Sequence, residues 1–372
     1  MSSVSFHVRR SLLLATIVAL HGSAAFQFRC KENVKNYTCT VTNYSPALEG
    51  TFLFNHVPNR TDTIEFKNLI LPIVNGALLS HIPPTVSKLS FSDSSKVHIV
   101  IVPRNISIEK ITLSLSLLGR IRFERNCPLS ILTIFQSTLT MIPPTLSNLP
   151  NLSFFKLSLS PIETINLEQF CNFTQLKTVT LNNNLIGSLE FKGALNPRCS
   201  PVLEKLTLGS NKIKVVNMTV FASMRALETI DLEDNLIETV VGQFNNRNIK
   251  TVILSRNNLL TIELCGWSTL VQIVSFSFHS NNLQQIPKCL GRWPKVKFLN
   301  FNQNKLTRVA MEAFAMLKEL EQLFFSNNAI ATVTCNNRQS VPPSLKEIYL
   351  KHNPLQFMNL TNVSLASVKV YT

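Results

Sequence analysis

At 372 residues the chain is long enough for two or more ordinary domains, and 36 lysines and arginines against 21 acidic residues give it a formal charge of +15. A surface of that sign attracts acidic partners, anionic glycans among them, and equally can serve solubility alone. Beyond the amino-terminal segment no stretch approaches the roughly 20 uninterrupted apolar residues of a membrane helix, so no membrane span is expected in this chain.

From the amino terminus, Arg9 and Arg10 precede an apolar run from Leu12 to Leu20 and a small-x-small site at Ser23-Ala24-Ala25. This is the build of a secretory signal peptide, residues 1–25, cleaved after Ala25. Nine N-x-Ser/Thr sequons, at Asn36, Asn43, Asn59, Asn105, Asn151, Asn172, Asn217, Asn359 and Asn362, fit a glycosylated surface in the secretory pathway. The expected location is secreted or extracellular, or the cell surface if the sequence is the front of a longer receptor. Residues 26–60 form an amino-terminal cap, in which a disulfide between Cys30 and Cys39 would cover the open end of the repeats.

From Thr61 to residue 364 the chain repeats itself. The pattern L-x-x-L-x-L-x-x-N-x-L, with other apolar residues allowed, appears as Leu176, Val179, Leu181, Asn184, Ile186, then as Leu203, Leu206, Leu208, Asn211, Ile213, and as Leu227, Ile230, Leu232, Asn235, Ile237. Five further copies centre on Asn257, Asn281, Asn304, Asn328 and Asn353. Upstream the same phase carries serine in place of asparagine, at Ser94, Ser116, Ser137 and Ser160, and a degenerate first copy passes through Ile64, Phe66 and Leu71. About thirteen copies at a mean period of about 24 residues mark a solenoid. Residues 365–372 match Leu365, Val368 and Val370 to the opening of another copy and read as an incomplete repeat or a capping strand.

The L-x-L core alternates with period two, which makes a short strand with its apolar residues inward. Equal spacing sets these strands side by side as a parallel sheet, and the asparagine amide satisfies backbone groups that a neighbouring coil leaves unpaired. Serine reaches less far, so looser geometry is expected in the first half. Phe170, Phe221 and Phe314 lie ten residues after their ladder positions and Phe244 nine, which predicts a buried spine, and Met311 to Leu317 is the best candidate for a helix on the return side. The predicted fold is an α/β repeat: a solenoid with a concave parallel sheet and a convex side of loops and short helical turns.

Residues from about 61 to 370 resemble the extracellular leucine-rich-repeat superfamily, with the eight asparagine-bearing copies carrying most of the likeness. The resemblance implies a leucine-rich-repeat horseshoe that binds protein or peptide on its inner sheet, with no ligand common to the family. Three functions follow: an extracellular ligand-binding protein recognising protein, peptide or glycan; the truncated ectodomain of a receptor-like kinase or other membrane receptor; or a cell-wall or matrix structural or inhibitor protein. Catalysis is not expected, for the chain has no P-loop, dinucleotide glycine fingerprint, H-E-x-x-H or G-x-S-x-G. No cofactor, metal site or nucleic-acid partner is expected.

Residues between the inward positions form outward columns. The middle one reads Ser90, Thr112, Thr133, Lys156, Thr180, Thr207, Asp231, Ile253, Ser277, Asn300, Phe324, Tyr349. At its end Phe298, Phe324 and Tyr349, with His279, Arg256 and His352, form a candidate binding patch of aromatic residues with polar edges. The acidic cluster Asp231, Glu233 and Asp234 is a second candidate, and Ile131, Phe135, Phe154 and Lys156 a third. Cys265 and Cys289 hold equal places on adjacent coils and can pair, as can Cys171 and Cys199. Cys127 and Cys335 are too far apart to join and are expected as buried thiols or, for one of them, an intermolecular bond.

Overall fold

A computed structural model of the chain describes residues 5–6, 25–32, 37–191, 201–337, 340–359 and 368–372. Asn36, Cys199, Leu365, Asn362 and most of the leader lie outside the described residues. The chain forms two compact units, Met1–Pro161 and Ile162–Thr372.

In the first unit an antiparallel hairpin, Gln27–Glu32 and Tyr37–Thr42, opens the main sheet. Parallel to its second strand run Thr63–Lys67, Lys88–Ser92, Lys110–Ser114, Ile131–Phe135 and Phe154–Ser158. Cys30 and Cys39 face each other across the hairpin and are joined by a 2.08 Å bond. The main sheet of the second unit is parallel throughout: Thr178–Thr180, Lys205–Thr207, Thr229–Asp231, Thr251–Ile253, Ser275–Ser277, Phe298–Asn300, Gln322–Phe324, Glu347–Tyr349 and Lys369–Tyr371. Each strand sends alternate apolar residues inward, such as Leu89 and Phe91 in one coil and Ile230 in another, all 1% exposed or less. Burying such a side chain stabilises the coil by roughly 2 kcal/mol.

The strands end at a repeated kink. In all coils but that of Ser116 the residue before the ladder position is left-handed: Asn68, Asp93, Gln136 and Leu159 in the first unit, and Asn183, Ser210, Asp234, Arg256, Ser280, Gln303, Asn327 and His352 in the second. The kink aims the next side chain into the core, where ladder asparagines are buried and bonded on both sides. Asn235 Nδ2 donates to Leu232 O in its own coil at 3.1 Å and to Leu208 O in the preceding coil at 3.0 Å, while its Oδ1 accepts from the preceding coil's Ile213 N at 3.2 Å. The same wiring recurs at Asn211, Asn257, Asn281, Asn304, Asn328 and Asn353.

Serine does part of this work. Ser94 Oγ accepts from Leu69 N at 2.8 Å and donates to Ser92 O at 2.8 Å, whereas Ser137 and Ser160 bond to each other at 2.7 Å. The parallel main-sheet strands of the first unit are nevertheless five residues long against three in the second, so the pairing there is longer, not looser. Ser116 is a correction. In its coil Ile111 and Leu113 continue their alternation into buried Leu115, no left-handed residue intervenes, and Ser116 is exposed.

The return segments hold more regular structure than the repeat pattern suggests. Phe170, Phe221 and Phe314 are buried at the ends of 3-10 turns Leu167–Phe170, Met218–Phe221 and Met311–Phe314, and Phe244 is buried as well. Short parallel ladders run alongside, the longest comprising Ile73–Val74, Ile99–Val102 and Arg120–Phe123. Runs such as Ile99-Val100-Ile101-Val102 favour extended backbone because branched Cβ atoms fit a pleated surface. Cys265 and Cys289 are joined across adjacent coils at 2.02 Å, Cys171 is disulfide-bonded, and Cys127 and Cys335 are buried free thiols.

Candidate ligand-binding surface

The side chains that the main strands do not bury form straight rows, because strand neighbours pair without stagger. In the second unit the central row is Thr180, Thr207, Asp231, Ile253, Ser277, Asn300, Phe324, Tyr349 and Tyr371. Its last three members stack: Phe324 and Tyr349 are 4.8 Å apart with planes 8° from parallel, and Tyr349 and Tyr371 are 4.6 Å apart at 10°. That separation is the strand spacing itself. On the inward side Phe278, Phe301 and Phe325 stack in a second, buried ladder, which overlaps the first only at the coil of Phe324 and Phe325.

Tyr371 enters the row because the final partial copy lies two residues later in phase than the pattern suggests. Val370, not Val368, sits opposite Ile348. A slip of two residues keeps apolar residues inward in a period-two strand, so the sequence pattern alone does not distinguish the registers.

Glu347 ties the stack together. It accepts from Tyr349 Oη at 2.8 Å, from Gln322 Nε2 at 2.5 Å and from Tyr371 Oη at 3.3 Å. Those donors, Tyr349 foremost, hold its carboxyl below the ordinary carboxylate range, and the same bond pushes the Tyr349 hydroxyl up from its usual value. Phe298 lies one row aside, opposite Gln322, and is 36% exposed. His352 is exposed at the kink of the Tyr349 strand.

Arg256 and the acidic cluster belong together. Glu233 pairs with Arg256 at 3.5 Å, Asp231 Oδ1 accepts from Glu233 N at 3.0 Å, and Asp234 accepts from Ser210 Oγ at 2.7 Å. Arg256 therefore stands apart from the aromatic patch, three strands from Phe324 or about 14 Å at the usual spacing. The Glu233–Arg256 pair is solvated on both sides and contributes under about 1 kcal/mol. His279 lies between the two groups, its Nε2 3.1 Å from Ser280 Oγ and its Nδ1 buried without a hydrogen-bond partner.

In the first unit, Ile131 lies opposite Phe154, Thr133 opposite Lys156 and Phe135 opposite Ser158. Leu159 beside them is left-handed, a conformation costing a β-carbon-bearing residue roughly 1 kcal/mol. The exposed sequon asparagines Asn59, Asn105, Asn151, Asn172 and Asn217 all lie outside the main-sheet strands. Asn43, at the hairpin exit, donates to Ala25 O and accepts from Asn68.

The sequence pattern of the family described as Leucine rich repeat matches residues 201–259. Toll-like receptor 2 of Pan troglodytes is 29% identical over 44% of this chain and 20% of its own length, and keratocan of Coturnix japonica is 25% identical over 56% and 64%. The chain thus spans about a fifth of the receptor it matches. Among solved structures, a TLR13–ssRNA13 complex aligns with 85% of this chain and 48% of its own at a TM-score of 0.62 and 18% identity. Strand register, ladder wiring and these likenesses agree on the fold: the chain is a leucine-rich-repeat solenoid, similar in its repeats to extracellular leucine-rich-repeat proteins.

Proposed function

We propose that the chain works outside the cell by binding a protein or peptide on the open face of the main sheet, with Phe324, Tyr349 and Tyr371 of the second unit as the anchor. The observation that carries this reading is the parallel ring stack, an aromatic ridge in a row that is otherwise mostly small and polar. Rings that cover one another's faces turn their edges outward, and edges suit carbonyl oxygens and apolar side chains. A sugar ring needs an open aromatic face, so peptide is favoured over an acidic glycan. Phe298 and His352 border the ridge. The acidic cluster with Arg256 forms a secondary polar contact. Secretion by the leader at residues 1–25 belongs to the same reading.

The test is an array of purified secreted and cell-surface proteins probed with the wild-type chain and with the Phe324→Ala/Tyr349→Ala double variant. The double variant is expected to keep its melting temperature and bind its partner at least tenfold more weakly. Unchanged capture by that variant would remove the ridge as the site.

A further inference from the structure

We propose that the first unit carries a separate docking surface for an extended peptide that reads apolar-x-acidic-x-apolar. Strands Ile131–Phe135 and Phe154–Ser158 pair in register and set three short rows on the open face. Ile131 and Phe154 make an apolar row; Thr133 and Lys156 make a polar, cationic one; Phe135 stands opposite buried Ser158, and Leu159, next in the chain, adds a second exposed apolar side chain at that end, the two being 39% and 46% exposed. Lys110, opposite Ile131, adds a further cation at the edge. Neither Lys110 nor Lys156 forms an ion pair among the described residues, so an incoming carboxylate meets charge that is not already neutralised. Alternate side chains of an extended peptide are roughly 7 Å apart, the spacing of alternate positions along the strands beneath it.

Two further observations point to a ligand. The Ser158 hydroxyl is buried in the row of Phe135 and has no hydrogen-bond partner, and an extended peptide over that row brings main-chain groups to satisfy it. Among the described residues Leu159 is the one aliphatic residue at a left-handed kink position, the others being Asn, Asp, Gln, Ser, Arg or His. A leucine neither eases that conformation nor gains from facing water, whereas it suits an apolar contact made from outside.

The probe is a labelled peptide, leucine-serine-glutamate-serine-leucine, titrated against the full chain by fluorescence anisotropy beside a control with lysine for glutamate. The wild type is expected to bind the glutamate peptide at least tenfold better than the control, and Lys156→Glu to reverse that preference. Leu159→Asn should weaken binding at least tenfold with a melting temperature equal or higher, since asparagine tolerates the left-handed kink. The Phe324→Ala/Tyr349→Ala variant should bind this peptide as the wild type does. Equal binding of both peptides, no binding of either, a preference that survives Lys156→Glu, or loss in the aromatic double variant would each overturn the proposal.

Discussion

Replacing Asn257 by alanine and by serine separates the two jobs of a ladder residue. Asn257 is 5% exposed; its Nδ2 donates to Leu232 O, Leu254 O and Ser255 O at 3.0, 3.1 and 3.0 Å, and its Oδ1 accepts from Ile237 N at 3.0 Å. The three carbonyls have other donors, namely Asn235, Asn281 and Asp234 N respectively. Alanine therefore orphans one group outright, the buried Ile237 N–H, at a cost of roughly 1–3 kcal/mol. With the weakened carbonyls and the lost contacts of a buried amide, the total comes to about 3 kcal/mol. Serine keeps an acceptor, as Ser94 does toward Leu69 N, and should lose only about half as much. Urea unfolding gives the stability difference, and hydrogen exchange at Ile237 reports the orphaned amide directly. Equal losses for alanine and serine, or an Ile237 amide as protected in the alanine variant as in the wild type, would refute the reasoning.

Replacing both Cys265 and Cys289 by serine opens a bridge of sequence separation 24 and should lower stability by about 3 kcal/mol, read from the same denaturation curves; peptide mapping without reduction should recover the two joined. Glu347→Gln should bring the ionisation of Tyr349 down toward its ordinary range in an ultraviolet titration, because the Glu347 bond is the main cause of its elevation. In the wild type the carboxyl of Glu347 is depressed on folding, so its stabilising effect is present above the ordinary carboxylate range and is lost as pH falls through the lowered value. The near-ultraviolet dichroism of the stacked tyrosines should fade in that acidic window and not in an alkaline one below tyrosine ionisation.

What could be read from the residues followed from period. The ladder from Asn184 to Asn353 carries one chemical type at intervals of 22 to 27 residues, and the coils follow it. Where two physical solutions share a period, the reading failed or fell short. Leu115 could extend the strand alternation as readily as Ser116 could enter the ladder, and burial of leucine decided it. Tyr371 was missed because a two-residue slip leaves the hydrophobic pattern intact. Arg256 was grouped with the aromatic residues as another outward residue of the concave face, whereas strand order sets it beside Glu233. The left-handed kink at Leu159 carries no local signal, since leucine is among the least suited residues for it.

The ladder wiring has a direction. Each asparagine completes the coil before its own, as Asn211 does for Ile186 N and Asn281 for Leu259 N. A coil emerging during synthesis therefore lacks this side-chain acceptor until its successor arrives, and trimming from the carboxyl side removes it, whereas trimming from the amino side frees the asparagine amide together with backbone donors such as Leu236 N, which pairs with Ile213 O. Growth of this stack is vectorial: order is handed backward one turn at a time.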